Sequence, residues 1–217
     1  LTPIPDPEKI ICVGLNYSKK YPVEGQAPFL PTEPVVFARF KDTLVAHEES
    51  LQLPKMSPAS ESYDYEGEIV AVIADRAWQV SEAQALSHVF GYSIMNEGSV
   101  RGYQKHSVHA GKNFYQSGSW GPWITSANDA KQVEEMELET WVNDELRQKA
   151  TGDQMIFSLG KILSYLSHLY PLSAGDIIAT GSPEGSGGSL KPPKFLRSGD
   201  TVCVKVTSLG TLINKVN

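Results

Sequence analysis

Glu66 and Glu68 stand two residues apart in the run Asp64-Tyr65-Glu66-Gly67-Glu68-Ile69-Val70-Ala71-Val72-Ile73. Side chains at i and i+2 of a strand leave on the same face, so the two carboxylates would lie side by side and repel. A solvated strand face is the ordinary reading of Glu-x-Glu, but the residues that follow weaken it. Val70 and Val72 continue the carboxylate face as apolar residues, while Ile69, Ala71 and Ile73 make the other face apolar too, the pattern of a strand buried on both sides. Two carboxylates entering such a strand require a compensating cation. Oxygen-only ligands favour a hard, octahedral ion such as Mg²⁺ or Mn²⁺, which needs at least one more carboxylate and open positions for water or substrate. A second acidic position of interest is Glu97. It follows Asn96 at the end of a short apolar run and meets Gly98, where a strand would hand a side chain to a loop; taken alone it reads as a surface residue.

The elements that must position these residues are mostly strands. Alternation or short apolar runs predict strands at Ile10 to Gly14, Val35 to Phe40, Asp64 to Ile73, Met136 to Val142, Asp176 to Ala179 and Thr201 to Val206. Ser208-Leu209-Gly210 then predicts a turn into a last strand, Thr211 to Val216, closing a C-terminal hairpin. Two helices are expected. One opens on Ser81-Glu82-Ala83-Gln84, which has the form of a capping box, and runs to about His88. The other runs from about Gln154 to Ser167, with Met155, Leu159, Ile162, Leu163 and Leu166 at helical spacing, Pro171 beyond its end and His168 in its last turn as a helix-end residue.

The 18 glycines and 14 prolines concentrate in connections such as Pro22 to Pro34 and Gly181 to Pro193, so long loops between short strands should frame a site. No repeat of solenoid or propeller length is visible. The 217 residues are read as one domain, with 1–8 as a lead-in and 17–34 as a candidate lid loop.

Composition excludes several function classes. With 25 acidic residues against 19 Lys plus Arg and no basic cluster longer than a pair, the chain lacks the basic face that nucleic-acid binding needs. Two cysteines, Cys12 and Cys203, form neither a disulfide framework nor a thiolate zinc site, and the expected setting is reducing and cytoplasmic. No apolar run is long enough for a membrane span, so no membrane partner is expected. The start, Leu1-Thr2-Pro3-Ile4, has no Met and no signal-peptide pattern and reads as an internal or trimmed beginning; the sequon Asn16-Tyr17-Ser18 is not expected to be used. Gly181-Ser182-Pro183-Glu184-Gly185-Ser186-Gly187-Gly188 lacks the Gly-Lys-Ser/Thr ending of a phosphate loop and carries Glu184 where phosphate would be repelled.

The ordered series Lys9 to Tyr17, Asp64-Tyr65-Glu66-Gly67-Glu68, Gly91 to Arg101, Gly111-Lys112-Asn113-Phe114, Gly121-Pro122-Trp123, Gly175 to Gly185 and Gly199-Asp200 resembles the fumarylacetoacetate hydrolase family, over about residues 9 to 216. The resemblance implies a mixed β-rich α+β fold, a β-roll with few helices, present here as the catalytic domain and usually a homodimer. It implies one Mg²⁺ or Mn²⁺ held by Glu66, Glu68 and Glu97, the last standing where the family usually has Asp. It further implies Lys112 as the active-site lysine, Arg101 and Gln104 as polar residues facing substrate, Tyr17 in the Asn-Tyr motif at the substrate side, and Thr180 as a contact to a substrate carboxylate. Many members carry a His and a Glu as an acid/base pair in Asn-Tyr-x-x-His-x-x-Glu. Here Lys20 takes the His position and Glu24 is displaced by one residue. Glu24 or Lys20, or one of His47, His106 and His109, is then the candidate to activate water.

Family members act on 2-oxo acids, and the shared problem is the negative charge of an enolate. A divalent ion chelated by the substrate relieves it as a Lewis acid. The expected activity is hydrolysis of an acylpyruvate such as maleylpyruvate or fumarylpyruvate, in aromatic-ring catabolism. In that reaction Lys112 offsets charge or delivers a proton to C3, and Arg39 binds a distal carboxylate or else forms a structural ion pair. Oxaloacetate decarboxylation or isomerisation of a related oxo-dienoate is the alternative that the absent His-Glu pair favours, since decarboxylation needs no activated water. A non-catalytic binding protein on the same fold is the third reading, against which the carboxylates and Lys112 argue.

Overall fold

The computed structural model describes residues 1–18 and 30–217. Lys20, Glu24 and most of the expected lid loop lie outside the described residues. A seven-stranded mixed sheet carries the site. Its strands are β1 (Ile10–Gly14), β2 (Val35–Ala38), β3 (Leu44–Val45), β5 (Gly67–Ile73), β6 (Val89–Asn96), β8 (Gly118–Ser126) and β11 (Ile177–Ala179), in the spatial order β2-β1-β11-β5-β6-β8-β3. Pairs β1/β11 and β3/β8 run parallel and the others antiparallel. A four-stranded antiparallel sheet, β10-β9-β12-β13, packs across it, built from β9 (Glu137–Val142), β10 (Glu145–Thr151), β12 (Thr201–Val206) and β13 (Gly210–Lys215). The short strands β4 (Tyr63–Asp64) and β7 (Ser99–Val100) pair with each other beside the site.

Burial explains the sequence pattern of β5, every residue of which is buried. Ile69, Ala71 and Ile73 join the main core between the sheets with Leu138, Val202, Val204 and the helix residues Ile162 and Leu166. Val70 and Val72 join a second cluster on the opposite face with Ile10, Cys12, Met95 and Trp120. The expected strand Asp64 to Ile73 is interrupted at Tyr65 and Glu66. The Glu66 amide donates to the side-chain Oδ1 of Asn96 (3.2 Å) instead of a main-chain carbonyl, which ends the regular ladder one residue before Gly67.

Among the described residues four α-helices stand where two helices were expected. After α1 (Glu82–Ala85) the chain tightens into a single three-residue turn to His88, and Ser81 donates its hydroxyl to Gln84 Oε1 (2.7 Å), so the expected capping box is absent. The one-turn helices α2 (Arg101–Gln104) and α3 (Val108–Lys112) are too short to show periodicity. The long helix, α4, is Leu159–Leu169, starting five residues later than its periodicity suggests. Asn16 takes the Ile156 amide on its carbonyl (2.7 Å) and the Phe157 amide on its side chain (2.8 Å), holding that stretch extended until Ser158 caps the helix by accepting from the Lys161 amide.

Gly67 sits where the second sheet crosses the first. A Cβ there would lie 2.1 Å from Thr140 Oγ1 and 3.0 Å from Val204 Cγ1. Gly67→Ala should therefore destabilise the protein by about 1–3 kcal/mol through overpacking. In urea unfolding the loss should shrink in the Thr140→Ala background; an equal loss in both backgrounds would contradict this packing.

Candidate active site

The ladder between β5 and β6 pairs Gly67 with Asn96, and the Glu97 amide extends it by donating to the Glu66 carbonyl (2.7 Å). That register brings the three acids together. One carboxylate oxygen from each of Glu66, Glu68 and Glu97 lies within 4.8 Å of the others, and all three residues are buried.

Among the described residues, three cations surround them. The Lys112 ammonium, delivered by the end of α3, donates to Glu66 Oε2 and, at 2.6 Å, to Glu97 Oε2. Arg101, at the start of α2, donates from Nη2 to Glu66 Oε1 (2.8 Å) and from Nε to Asp64 Oδ2 (2.7 Å), while its Nη1 reaches Gln104 Oε1 (3.0 Å). Arg39 lies behind Glu97. Its guanidinium donates to Thr43 Oγ1, the Gly98 carbonyl and Ser117 Oγ, and stands 3.8 Å from Glu97 Oε1. Arg39 is thus buried against the loop that carries Glu97 and does not line the main cleft; of its two readings the structure shows the ion pair.

Burial and the neighbouring charges shift both Glu68 and Lys112 upward, by different balances. Desolvation, then the Glu97 and Glu66 carboxylates, push the Glu68 carboxyl well above the ordinary glutamate range, against the pull of Lys112 and of the Gly181 amide, which donates to Glu68 Oε2 (2.9 Å). Burial disfavours the Lys112 ammonium, but Glu66 and Glu97 outweigh it and its pKa stands above the ordinary lysine value. Glu97 Oε1 is buried with no hydrogen-bond partner. Three buried carboxylates, one with an oxygen that carries no hydrogen bond among the described residues, are the kind of oxygen donor set a hard divalent ion takes, so the residues present fit Mg²⁺ or Mn²⁺.

The carboxylates open onto a cleft of about 330 Å³ whose polar lining includes Arg101, Gln104, Lys112 and Ser182, faced by an apolar wall of Leu15, Val35, Phe37 and Val108. The Phe37 ring lies 5.5 Å from the Lys112 ammonium. Thr180 has another partner than the expected substrate carboxylate: it is fully buried and gives its hydroxyl hydrogen to the Ile69 carbonyl (2.9 Å), and Ser182 is the residue of this turn that lines the cleft. Tyr17 is buried beside the cleft, its hydroxyl without a partner and its pKa raised by burial and by Glu68. Among the described residues no histidine lines the cleft. His47 accepts from the Ile213 amide (3.1 Å), His109 stacks edge-on against Phe40 and His106 against Tyr103. Asn16, the sequon residue, is buried and spends its amide on the Phe157 and Thr180 carbonyls.

Sequence reasoning missed Asp64, whose carboxylate accepts from the amides of Tyr65 (2.9 Å), Gly187 (2.7 Å) and Gly188 (2.9 Å) as well as from Arg101. The signal was present in the glycine-rich run 181–188. Its amides form an anion cradle, and the anions they hold are the protein's own Glu68 and Asp64.

A mixed, curled sheet with three buried carboxylates and a lysine at one end defines a class of small-molecule enzyme fold, and the comparisons specify it. Residues 9–217 match the family model for the C-terminal domain of fumarylacetoacetate (FAA) hydrolase, and the chain belongs to the fumarylacetoacetate hydrolase family. It is 37% identical to the oxaloacetate tautomerase YisK of Bacillus subtilis, over 99% of this chain and 71% of that protein. The fumarylacetoacetate hydrolase of Exiguobacterium antarcticum superposes with a TM-score of 0.88 at 33% identity, over 100% of this chain and 77% of that one. Maleylpyruvate hydrolase from Sphingobium sp. SYK-6, solved with manganese(II) and pyruvate, superposes with a TM-score of 0.82 at 27% identity, over 99% and 72%. Relatives thus include hydrolases and tautomerases. No helix among the described residues is long and apolar enough to cross a membrane.

Because burial and the neighbouring carboxylates push the Glu68 carboxyl above its ordinary range, a metal bound there would have to displace a proton. Mn²⁺ affinity should weaken as pH falls, and titration calorimetry in buffers of different ionisation enthalpy should show net proton release. The metal-free protein should itself lose stability as pH rises from 4.5 toward the raised Glu68 pKa, because the folded state binds the extra proton in that window. Proton-neutral binding would contradict this account of Glu68.

Proposed function

We propose that the chain is a divalent-metal-dependent enzyme of keto–enol chemistry on small 2-oxo acids, with tautomerisation of an oxaloacetate-like 2-oxo dicarboxylate as its reaction. The observation that carries this reading is the pairing of Lys112 with the buried Glu66–Glu68–Glu97 group in a cleft that no histidine lines among the described residues. Tautomerisation moves one proton between carbon and oxygen and needs no activated water. The similarity to an oxaloacetate tautomerase supports the same choice.

Held by Glu66, Glu68 and Glu97, Mg²⁺ or Mn²⁺ would supply Lewis-acid stabilisation of negative charge on the 2-oxo oxygen. The residues of the chain do the rest. Lys112 keeps a proton at Nζ at neutral pH, because its two carboxylate partners favour the ammonium, and so presents an acid to C3 of the enol. In ketonisation C3 gains the proton that Lys112 Nζ gives up, and the proton that leaves the enol oxygen returns to Nζ, where Glu66 and Glu97 favour the ammonium. Arg101 and Gln104, already joined by a hydrogen bond, present a guanidinium and an amide to a substrate carboxylate, and Ser182 adds a hydroxyl on the opposite lip. The apolar wall from Leu15 to Val108 limits water around the reacting carbon.

Acylpyruvate hydrolysis, with maleylpyruvate or fumarylpyruvate as substrate, is the second reading. It is supported by the fold shared with a maleylpyruvate hydrolase that binds manganese and pyruvate. It asks in addition for a water-activating group, for which Glu24 and Lys20 are the candidates. A homodimer belongs to both readings.

With Mn²⁺ present, the enzyme should speed the decay of enol-oxaloacetate beyond the metal-only control without forming pyruvate, as followed by proton NMR. Lys112→Met should slow this by about 10²–10⁴-fold while Mn²⁺ still binds. Pyruvate with maleate or fumarate from the acylpyruvates, and an unchanged oxaloacetate rate, would replace the first reading with the second.

A further inference from the structure

Strand β10 contains a bulge: Leu146 pairs with Trp141 and Gln148 with Thr140, leaving Arg147 as an extra residue. In a regular strand Leu146 and Gln148 would share a face. The extra residue separates them, sending apolar Leu146 outward, 41% exposed, and polar Gln148 inward, 1% exposed. Bulges commonly re-aim side chains beside functional sites, and this one aims two at the ligand-bearing segment of the first sheet.

Gln148 Oε1 accepts from the Gly67 amide (2.9 Å), the peptide group between Glu66 and Glu68. Its Nε2 donates to the Pro183 carbonyl (2.8 Å), in the loop whose Gly181 amide donates to Glu68. One buried amide thus ties the main chain of two acids to the loop that orients the second of them. Arg147 Nη1 donates to the Tyr65 hydroxyl (3.2 Å), which in turn donates to the Gly185 carbonyl (2.9 Å), tying the same segment to the same loop a second time. The loop lies directly on the bulge. Gly185 has φ of +110°, and a Cβ there would fall 1.8 Å from the Arg147 carbonyl oxygen, so only glycine lets the two backbones approach this closely.

We propose that the β10 bulge is a positioning device for the carboxylate centre, with Gln148 as its principal residue and Arg147 as its second: it fixes the Glu66–Glu68 spacing from the opposite sheet. The inference rests on the reading of Glu66, Glu68 and Glu97 as metal ligands, and adds two residues that touch neither metal nor substrate. Outer contacts of this kind typically change metal affinity by about 10–100-fold when removed.

The test is Mn²⁺ affinity by titration calorimetry and the electron paramagnetic resonance line shape of bound Mn²⁺, in wild type, Gln148→Met and Arg147→Met. Asn214→Leu is the control, because Asn214 is an equally buried amide that donates to two carbonyls, Ala46 and Glu49, outside the cleft. Gln148→Met should weaken Mn²⁺ binding at least about 10-fold and broaden the spectrum. Arg147→Met should weaken it by a smaller factor, and Asn214→Leu should lower the melting temperature with affinity and line shape unchanged. If Gln148→Met does not fold, Arg147→Met carries the test. Wild-type affinity in both variants that fold, or equal weakening in the Asn214 control, would overturn the proposal. Absence of Mn²⁺ binding in the wild type would instead remove the metal reading, and the positioning role with it.

Discussion

The constraint on which this structure turns is electrostatic. Three carboxylates occupy a buried space in which their oxygens lie within 4.8 Å of one another. At an effective dielectric near 20, each ionised pair at that separation repels by about 3 kcal/mol, before any cost of desolvation. Such a cluster persists only if cations, amide dipoles or a retained proton offset it. Lys112 bridges two of the acids, Arg101 holds one and Gly181 donates to the third, Glu68, whose carboxyl burial and its neighbours push above the ordinary range.

The fold supplies these offsets from distant parts of the chain. The β5/β6 register sets Glu66 against Glu97, and Asn96 ends the ladder so that both side chains turn toward the same space. Two single-turn helices following β7 deliver Arg101 and Lys112. A glycine-rich loop closes the arrangement with main-chain amides that donate to the Glu68 and Asp64 carboxylates. The same loop would serve an external phosphate poorly because its donors are already committed to Asp64 and Glu68. Arg39 supports the Glu97 loop from behind through Gly98 and Ser117.

Much of this was legible in the residues. The two-faced apolar run after Glu68 specified a strand buried on both sides, and the pair of acids in it demanded a cation, because burial penalises like charges regardless of fold. Strands such as Ile10–Gly14 and Thr201–Val206 declared themselves through apolar runs or alternation. Less legible were β8, which contains two glycines and a proline, and β10, whose exposed and polar residues give no apolar period until the bulge at Arg147 is known. Helix α4 began late because Asn16, far away in sequence, competes for the amides that would have been its first turn. Asp64 was passed over because the Gly187 and Gly188 amides that hold it lie 123 and 124 residues away, which leaves no mark in local spacing. Arg39 and Thr180 have side chains suited to substrate carboxylates, and only tertiary contacts reveal that their hydrogens are spent inside the protein.

The chain thus presents a family fold in which the second sheet, the glycine loop and three cations all converge on one acidic centre. We propose that this centre holds a divalent ion. The direct measurement is Mn²⁺ titration of wild type and Glu68→Gln, followed by electron paramagnetic resonance, with circular dichroism confirming the fold of each. The account predicts a single saturable Mn²⁺ site per chain that disappears in a folded Glu68→Gln protein. Undiminished Mn²⁺ binding in that variant would contradict it.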